Sequence, residues 1–307
     1  MVLEVAAAVI ERADGAFLLA QRPAGKVYAG WWEFPGGKIH GGESAEAALA
    51  RELHEELGID VRLAYPWITR AHAYEHATVR LQFFRVVQWA GDPHPRENQT
   101  FVWQRLGAPM AEPMLPANAP VLASLALPLE YAITCAETLS AAAMLSVLER
   151  RLSDRLRLIQ VRDKTLPERA AFARSVVALA HRYGAKVLLN GDLALARATG
   201  ADGVHWPAAD LMRAQARPEG LLCGASCHSA EEIARAAKLE CDFVVLGPVR
   251  DTASHVGARV LGWQEFARLA RDTPIPVYAI GGLGRADMDR ARRAGAHGIA
   301  MIRGSWT

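Results

Sequence analysis

Residues 37–59 read GKIHGGESAEAALARELHEELGI. A glycine-rich loop from Pro35 to Gly42 leads into helical spacing from about Ala45 to Leu57, and Gly58 stops it. On that helix Glu52, Glu55 and Glu56 stand at i, i+3 and i+4 and share one face, roughly a quarter of the circumference. Leu49, Leu53 and Leu57 form the adjoining stripe and would bury against a sheet. Three carboxylates this close repel one another unless a cation neutralises them. Hard oxygen donors select Mg2+, with Mn2+ the alternative, and Mg2+ shares its shell with phosphate oxygens and water. A glutamate-rich helix can also be a plain solvated face, so the helix by itself leaves both readings open.

The whole segment fits G-x5-E-x7-R-E-U-x-E-E-x-G-U, where U is aliphatic, at Gly37, Glu43, Arg51, Glu52, Leu53, Glu55, Glu56, Gly58 and Ile59. In this it resembles the signature of the Nudix hydrolases. The resemblance implies an α+β Nudix fold, a mixed sheet with flanking helices. It implies that Glu52, Glu55 and Glu56 hold a divalent metal on a nucleoside polyphosphate, with the Gly37 carbonyl as a further ligand. Arg51 would orient a carboxylate, Glu43 being the expected partner. A carboxylate or the metal would activate the attacking water, with Glu52 the candidate base.

Working outward, residues 33–39 (EFPGGKI) and 116–121 (PANAPV) resemble the MutT type, the 8-oxo-dGTP pyrophosphohydrolases, over roughly residues 2–127. That likeness places Asn118 against the oxidised purine, and an Asn amide can read a purine edge with donor and acceptor together. Asn118 also suits a helix N-cap. Phe34 is expected as a wall of the base site or as core, and Arg22 as a phosphate-side arginine or a solvated strand-end charge. Lys38 joins the substrate-binding set. One position departs from the family: the Glu expected just before Trp103 is Val102, and Glu97 is the nearest substitute. His72 and His76 read as strand-surface histidines.

Strands are expected over 2–10 and 16–21, joined as a hairpin by Ala13-Asp14-Gly15, and over 78–90 and 100–105, with a short helix over 118–127. This reads as α+β with an antiparallel-rich sheet. After Leu127 the rhythm changes. Short strands over 131–134, 156–162, 186–190, 202–206, 221–226, 242–248, 276–281 and 298–302 alternate with helices such as 167–183 and 285–294. Eight such repeats predict a (β/α)8 TIM barrel, with a doubly wound open sheet as the alternative. Two domains follow, 1–127 and 131–307, with the break near Ala126–Glu130.

In a barrel the chemistry gathers at the C-terminal strand ends. Those ends bring Gln160, Arg162, Lys164, Asn190, His205, Ser226, His228, Gly247, Gly281, Gly282 and Gly304. The paired glycines with Lys and Arg suggest an anion pocket, although glycines also serve as plain turns. The segments QVRDK (160–164), ADGVHW (201–206), GASCHSAEE (224–232), DFVVLGPV (242–249) and AIGGLG (279–284) resemble thiamin-phosphate synthases and their thiazole tautomerase relatives over roughly 131–304. That family needs a metal-binding Asp directly after the strand-three Asn. Here the residue is Gly191, with Asp192 one place on and Asp210 retained. Its pyrophosphate Lys is replaced within Thr252-Ala253-Ser254-His255. Both losses weaken pyrophosphate activation, while His228 remains as an acid–base group or a helix cap.

Composition bounds the rest. The 307 residues are 51% hydrophobic and 22% charged, as in folded globular chains. Residues 1–127 carry 11 Lys/Arg and 14 Asp/Glu, a net −3, so this half would hold polyphosphate only through cations; the remainder carries 24 and 19, a net +5. No polybasic run favours nucleic acid. Cys135, Cys223, Cys227 and Cys241 show no paired spacing and suggest reduced thiols. No signal peptide or membrane span is legible, so a soluble cytoplasmic protein is expected.

The expected activity is metal-dependent hydrolysis of 8-oxo-dGTP to 8-oxo-dGMP and pyrophosphate, cleansing the nucleotide pool. A phosphorylated thiazole or pyrimidine is the expected barrel ligand. The competing readings are a thiamin-biosynthesis enzyme whose Nudix half acts on pathway pyrophosphates, and a barrel that only senses or scaffolds.

Overall fold

The computed structural model describes residues 2–75, 77–96, 99–252 and 259–306. His76, Glu97 and the Ala253-Ser254-His255 segment lie outside the described residues. The chain divides into two compact units, Met1–Ala126 and Leu127–Thr307.

The first unit opens with β1 (Val2–Ile10), β2 (Phe17–Gln21), β3 (Trp32–Glu33) and β4 (Gly36–Lys38). Helix α1 (Ala45–Leu57) follows, then β5 (Asp60–Ala73), β6 (Thr78–Ala90), β7 (Phe101–Gln104) and α2 (Ala119–Leu125). Four strands form a mixed sheet in the order β4-β1-β6-β5, and three form a second sheet, β3-β2-β7. The expected opening hairpin is corrected here. The Asp14 turn forms, with Asp14 Oδ1 accepting from Ala16 N at 3.0 Å. Only the Glu11–Phe17 bridge joins the two arms, however. Both edges of β1 are taken, by β4 antiparallel and by β6 parallel along its whole length, so β2 turns into the other sheet. The sheet beside α1 is therefore mixed, with β4–β1 and β6–β5 antiparallel and β1–β6 parallel.

Strands β3, β4 and β5 carry no clear alternation. β5 contains Pro66 and several charges, and register shifts between Val61 and Leu63, Leu63 and Ala64, and Pro66 and Thr69 absorb them. Helix α1 is legible because its ends and face agree. Ser44 accepts from Ala47 N, and Gly58 closes the helix in the left-handed region at φ 67°. Ala48, Leu49, Leu53 and Leu57 are buried, and they pack with Ala6, Ala8, Ile10, Phe84 and Val86 of β1 and β6. Burial of each leucine contributes about 1.5–3 kcal/mol, so the opposite edge of the helix is free to carry charge.

The second unit is a closed, all-parallel, eight-stranded barrel, which excludes the open-sheet alternative. Its elements alternate: β8 (Glu130–Ile133), α3 (Ala136–Leu139), α4 (Ala141–Ser153), β9 (Leu158–Val161), α5 (Arg169–Arg182), β10 (Lys186–Asn190) and α6 (Leu193–Thr199). Then come β11 (Gly203–Trp206), α7 (Ala208–Arg213), β12 (Leu222–Cys227), α8 (Ala230–Lys238) and β13 (Phe243–Leu246). α9 (Gly262–Ala270), β14 (Val277–Ala279), α10 (Met288–Arg293) and β15 (Gly298–Met301) complete it. Tyr131, Leu158, Leu188, Phe243 and Tyr278 fill the interior, and a separate apolar layer lies between strands and helices. The four cysteines are free thiols, with Cys223 and Cys241 Sγ atoms 3.8 Å apart. Among the described residues no helix is long and apolar enough to cross a membrane.

Replacing Leu53 by Ala empties the centre of the α1 contact, where the side chain is wholly buried. The expected loss is about 2–5 kcal/mol, read as a lower urea midpoint of the first unit; a change below 1 kcal/mol would contradict this packing.

Candidate functional site

Helix α1 and strand β4 build the first site together. β4 runs antiparallel beside β1 and carries two glycines past the helix. Gly36 N donates to Glu56 Oε2 at 3.3 Å. A Cβ on Gly37 would stand 2.1 Å from Glu52 Cδ, so only glycine lets the Glu52 carboxylate lie against this backbone.

The Arg51 guanidinium is the hub. Its Nη2 donates to Glu43 Oε1 at 2.8 Å and to the Lys38 carbonyl at 3.0 Å. Its Nη1 donates to Glu52 Oε1 at 2.9 Å and Glu55 Oε2 at 3.1 Å. Arg51 and the His40 N–H hold the Glu43 carboxyl down to about 2, and the carboxylates push the Arg51 guanidinium up. Burial pushes the Glu56 carboxyl up to about 8, with Glu33 and Glu52 adding repulsion.

The three α1 carboxylates are thus split. Glu52 and Glu55 share Arg51, while Glu56 turns to Gly36, and among the described residues no three acidic, His or Cys side chains converge at ligand spacing. The donor set still fits a divalent cation. The oxygens are hard, the repulsion on Glu56 is of the kind a cation relieves, and the Glu52 carboxylate lies against the Gly37 backbone. Glu52, Glu56 and the Gly37 carbonyl would hold it.

The expected substrate residues fare unevenly. Arg22 does not stand free for phosphate: its Nη1 meets both Glu33 oxygens, at 2.8 and 2.6 Å, and its Nε donates to the Val27 carbonyl at 2.7 Å. Phe34 is corrected to core. It is 4% exposed and lies 6.0 Å from both Phe17 and Phe83, because the strand directs it between the sheets. Lys38 has an exposed side chain and gives its carbonyl to Arg51. Asn118 is buried, makes no side-chain cap, and places Nδ2 3.5 Å from the Trp32 carbonyl. Val102 is half-buried in β7 and packs into the apolar layer with Phe34.

Two features escape sequence reasoning. Glu33 crowds Glu56 from outside the helix. An aromatic group of Tyr28, Trp31, His72 and Tyr74 stands at the same end, with Tyr28 5.3 Å from Trp31 and 5.5 Å from Tyr74, and His72 4.4 Å from Tyr74. Their signal was chemical type alone, since they sit in a loop and at a strand end with no shared spacing.

The barrel mouth holds a cavity of about 420 Å³. Arg162, Lys164, Asn190, Ser226, His228, Gly281 and Gly282 line it, as do Gly247, Arg303 and Gly304. Gln160 lies beneath and reaches the cavity only through Asn190. His228 does not cap α8; Ser229 does, accepting from Glu232 N. His228 Nδ1 instead donates to the Gly247 carbonyl at 2.6 Å, which leaves Nε2 as the proton acceptor of the neutral ring. Asp192 is used structurally: it caps α6 through Leu195 N at 2.8 Å and pairs with Arg169 at 3.1 Å. A Cβ on Gly191 would stand 3.4 Å from Asp210 Oδ2, so the missing carboxylate is missing beside its expected partner.

The NUDIX domain family model matches residues 6–124, and the thiamine monophosphate synthase family model matches residues 130–304. An Escherichia coli protein named CTP pyrophosphohydrolase is 40% identical over 120 residues, 39% of this chain and 88% of that protein. The chain belongs to both families. A thiamine-phosphate synthase of Thermosynechococcus vestitus is 33% identical over 165 residues, 52% of this chain; the chain spans only 47% of that longer protein. Among solved structures, thiamine phosphate pyrophosphorylase of Pyrococcus furiosus is 28% identical, with a TM-score of 0.48, covering 56% of this chain and 84% of that one. The Nudix domain thus carries the carboxylate helix, and the synthase-family barrel carries the cavity.

Gly37→Ala tests the first site. A misplacement of about 1 Å can cost about a hundredfold in rate, so nucleoside triphosphate hydrolysis with Mg2+ should fall by that order while the thermal midpoint holds. Unchanged hydrolysis would remove the Glu52–Gly37 contact from the site.

His205 gives a pH test in the barrel. Burial, with Arg162 and Lys164 nearby, holds its imidazole down to about 3, against about 6.5 in an unfolded chain. Between those values the unfolded chain binds a proton that the folded chain does not, so stability falls as pH drops through that window. Urea midpoints of the barrel should fall more steeply with acid than those of His205→Asn; parallel slopes would contradict the burial of a neutral His205.

Proposed function

We propose that the Nudix domain hydrolyses 8-oxo-dGTP, and 8-oxo-GTP, to the monophosphate and pyrophosphate. The observation that carries hydrolysis is the Arg51 hub, which fixes Glu43, Glu52 and Glu55 beside the Gly37 backbone. A bound Mg2+, or Mn2+, supplies charge neutralisation on the phosphates. Glu52 takes the proton of the attacking water, its carboxylate aimed by Arg51. Glu43 holds Arg51 in place from the far side, and Glu56 contributes a buried carboxyl that gives up its proton as the ion binds.

The oxidised-purine reading rests on the segments at 33–39 and 116–121. Asn118 stands next to Trp32 and so at the Glu33 end of the site. A second reading, CTP, is favoured by the name of the Escherichia coli relative and by Glu33, whose carboxylate suits the exocyclic amino group of cytosine.

For the barrel we propose a cavity that takes a phosphorylated thiazole or pyrimidine without synthase turnover. Gly191 removes one metal carboxylate, and Asp192 is held by α6 and Arg169. His228 Nε2 remains able to move a proton on such a ligand, which keeps a tautomerase-type activity as the catalytic alternative. We place the protein in the cytoplasm, without direct nucleic-acid contact.

Steady-state hydrolysis of 8-oxo-dGTP, dGTP and CTP with Mg2+, with pyrophosphate quantified, decides the substrate. The expected result is a kcat/KM for 8-oxo-dGTP well above that for dGTP. A larger value for CTP would replace the first reading by the second. Glu56→Gln should abolish turnover with the fold retained, and a fully active variant would sink the metal assignment. Asn118→Ala should erode the preference for the oxidised purine; an unchanged ratio would take Asn118 out of recognition.

A further inference from the structure

Five polar side chains are joined end to end inside the barrel. Asn190 Nδ2 donates to Gln160 Oε1 at 2.8 Å, and Gln160 Nε2 donates to the Tyr131 hydroxyl at 3.0 Å. The Tyr131 hydroxyl stands 3.3 Å from His205 Nδ1, and His205 Nε2 stands 2.9 Å from Ser226 Oγ. Tyr131, Gln160 and His205 are each at most 2% exposed. The two ends of the chain, Asn190 and Ser226, line the cavity, whereas the three middle members do not. The cavity wall is therefore wired from below.

The wiring has a direction. An amide NH2 only donates, so the Tyr131 oxygen accepts at its Gln160 side. A buried hydroxyl proton needs an acceptor, and His205 Nδ1 is the acceptor at hand. A neutral imidazole that accepts at Nδ1 carries its proton on Nε2. That N–H then donates to Ser226 Oγ, and the Ser226 proton points away from His205. At the opposite end Asn190 Nδ2 is spent on Gln160, while Asn190 Oδ1 is buried without a protein partner. The barrel core thus presents a donor at Ser226 and an acceptor at Asn190.

We infer that Tyr131 is a positioning residue for the barrel cavity, fixing the His205 tautomer and through it the Ser226 hydroxyl as a hydrogen-bond donor to the ligand. The inference rests on the proposed reading of the cavity as a ligand site. It adds that the ligand brings an acceptor to Ser226 and a donor to Asn190. Arg162 and Lys164, at the rim, supply charge but no such polarity.

The test is the 15N spectrum of the full-length chain with labelled histidines, near neutral pH, with the His205 signals identified by their loss in His205→Asn. The expected result is an Nε2–H tautomer with Nδ1 shifted by an accepted hydrogen bond. An Nδ1–H tautomer, or a charged imidazolium, would reverse the chain and overturn the inference. Tyr131→Phe removes the hydroxyl that donates to Nδ1. In the folded variant the Nδ1 signal should move toward that of an unbonded nitrogen and a second tautomer should appear; an unchanged His205 would deny Tyr131 its role. If the variant does not fold, the wild-type spectrum still decides. Inorganic phosphate titrated into the same sample tests the cavity separately. Absence of binding with the Nε2–H tautomer in place would sink the ligand-site reading and leave the polarity standing.

Discussion

Carboxylates one helical turn apart repel, and in α1 that repulsion is managed by a single planar cation. The Arg51 guanidinium has donors enough to reach Glu43, Glu52, Glu55 and the Lys38 carbonyl at once. A lysine could supply the charge but not the fork. Because one side chain binds the loop before the helix, the strand before the loop and two turns of the helix, the loop–helix unit is rigid without being apolar. Glu56 stands outside this arrangement and keeps its repulsion with Glu33 and Glu52. The first unit therefore keeps a buried carboxyl that holds its proton near neutral pH until a cation takes the proton's place.

The barrel solves a different problem. Its interior is too wide to be filled by aliphatic side chains alone near the mouth, and polar groups placed there must satisfy one another. The Asn190–Gln160–Tyr131–His205–Ser226 chain does so, over a floor of edge-packed aromatics in which Phe243 lies 5.1 Å from Tyr131 and 5.2 Å from Tyr278. The two ends of that chain, Asn190 and Ser226, line the cavity.

Most of the architecture was legible where local signals agree. Helix α1 has a cap, an apolar stripe and a terminating glycine, and the barrel strands are short apolar runs at regular spacing. The contact of Arg51 with Glu43, which the resemblance to the Nudix signature implied, forms across the loop. Long-range choices were not legible. Nothing local tells β1 that its edges belong to β4 and β6, so the opening hairpin was over-read. Phe34 shows why aromatic type is a poor guide to a base site, since the same ring fills a gap between sheets. The Arg22–Glu33 pair was hidden because its partners are eleven residues apart, Arg22 just past the end of β2 and Glu33 on β3. The inner chain of the barrel was hidden because its members come from five strands.

Gly191 has a wider consequence. Two carboxylates side by side at the barrel mouth would have offset most of the charge of Arg162, Lys164 and Arg303, which line the cavity. With glycine there, Arg162, Lys164 and Arg303 line the cavity, and Asp210 stands beside Gly191. Among the described residues, the Lys, Arg, Asp and Glu side chains that line the cavity are all cationic. An anion drawn to that lining would answer to ionic strength before it answered to the supply of divalent ions.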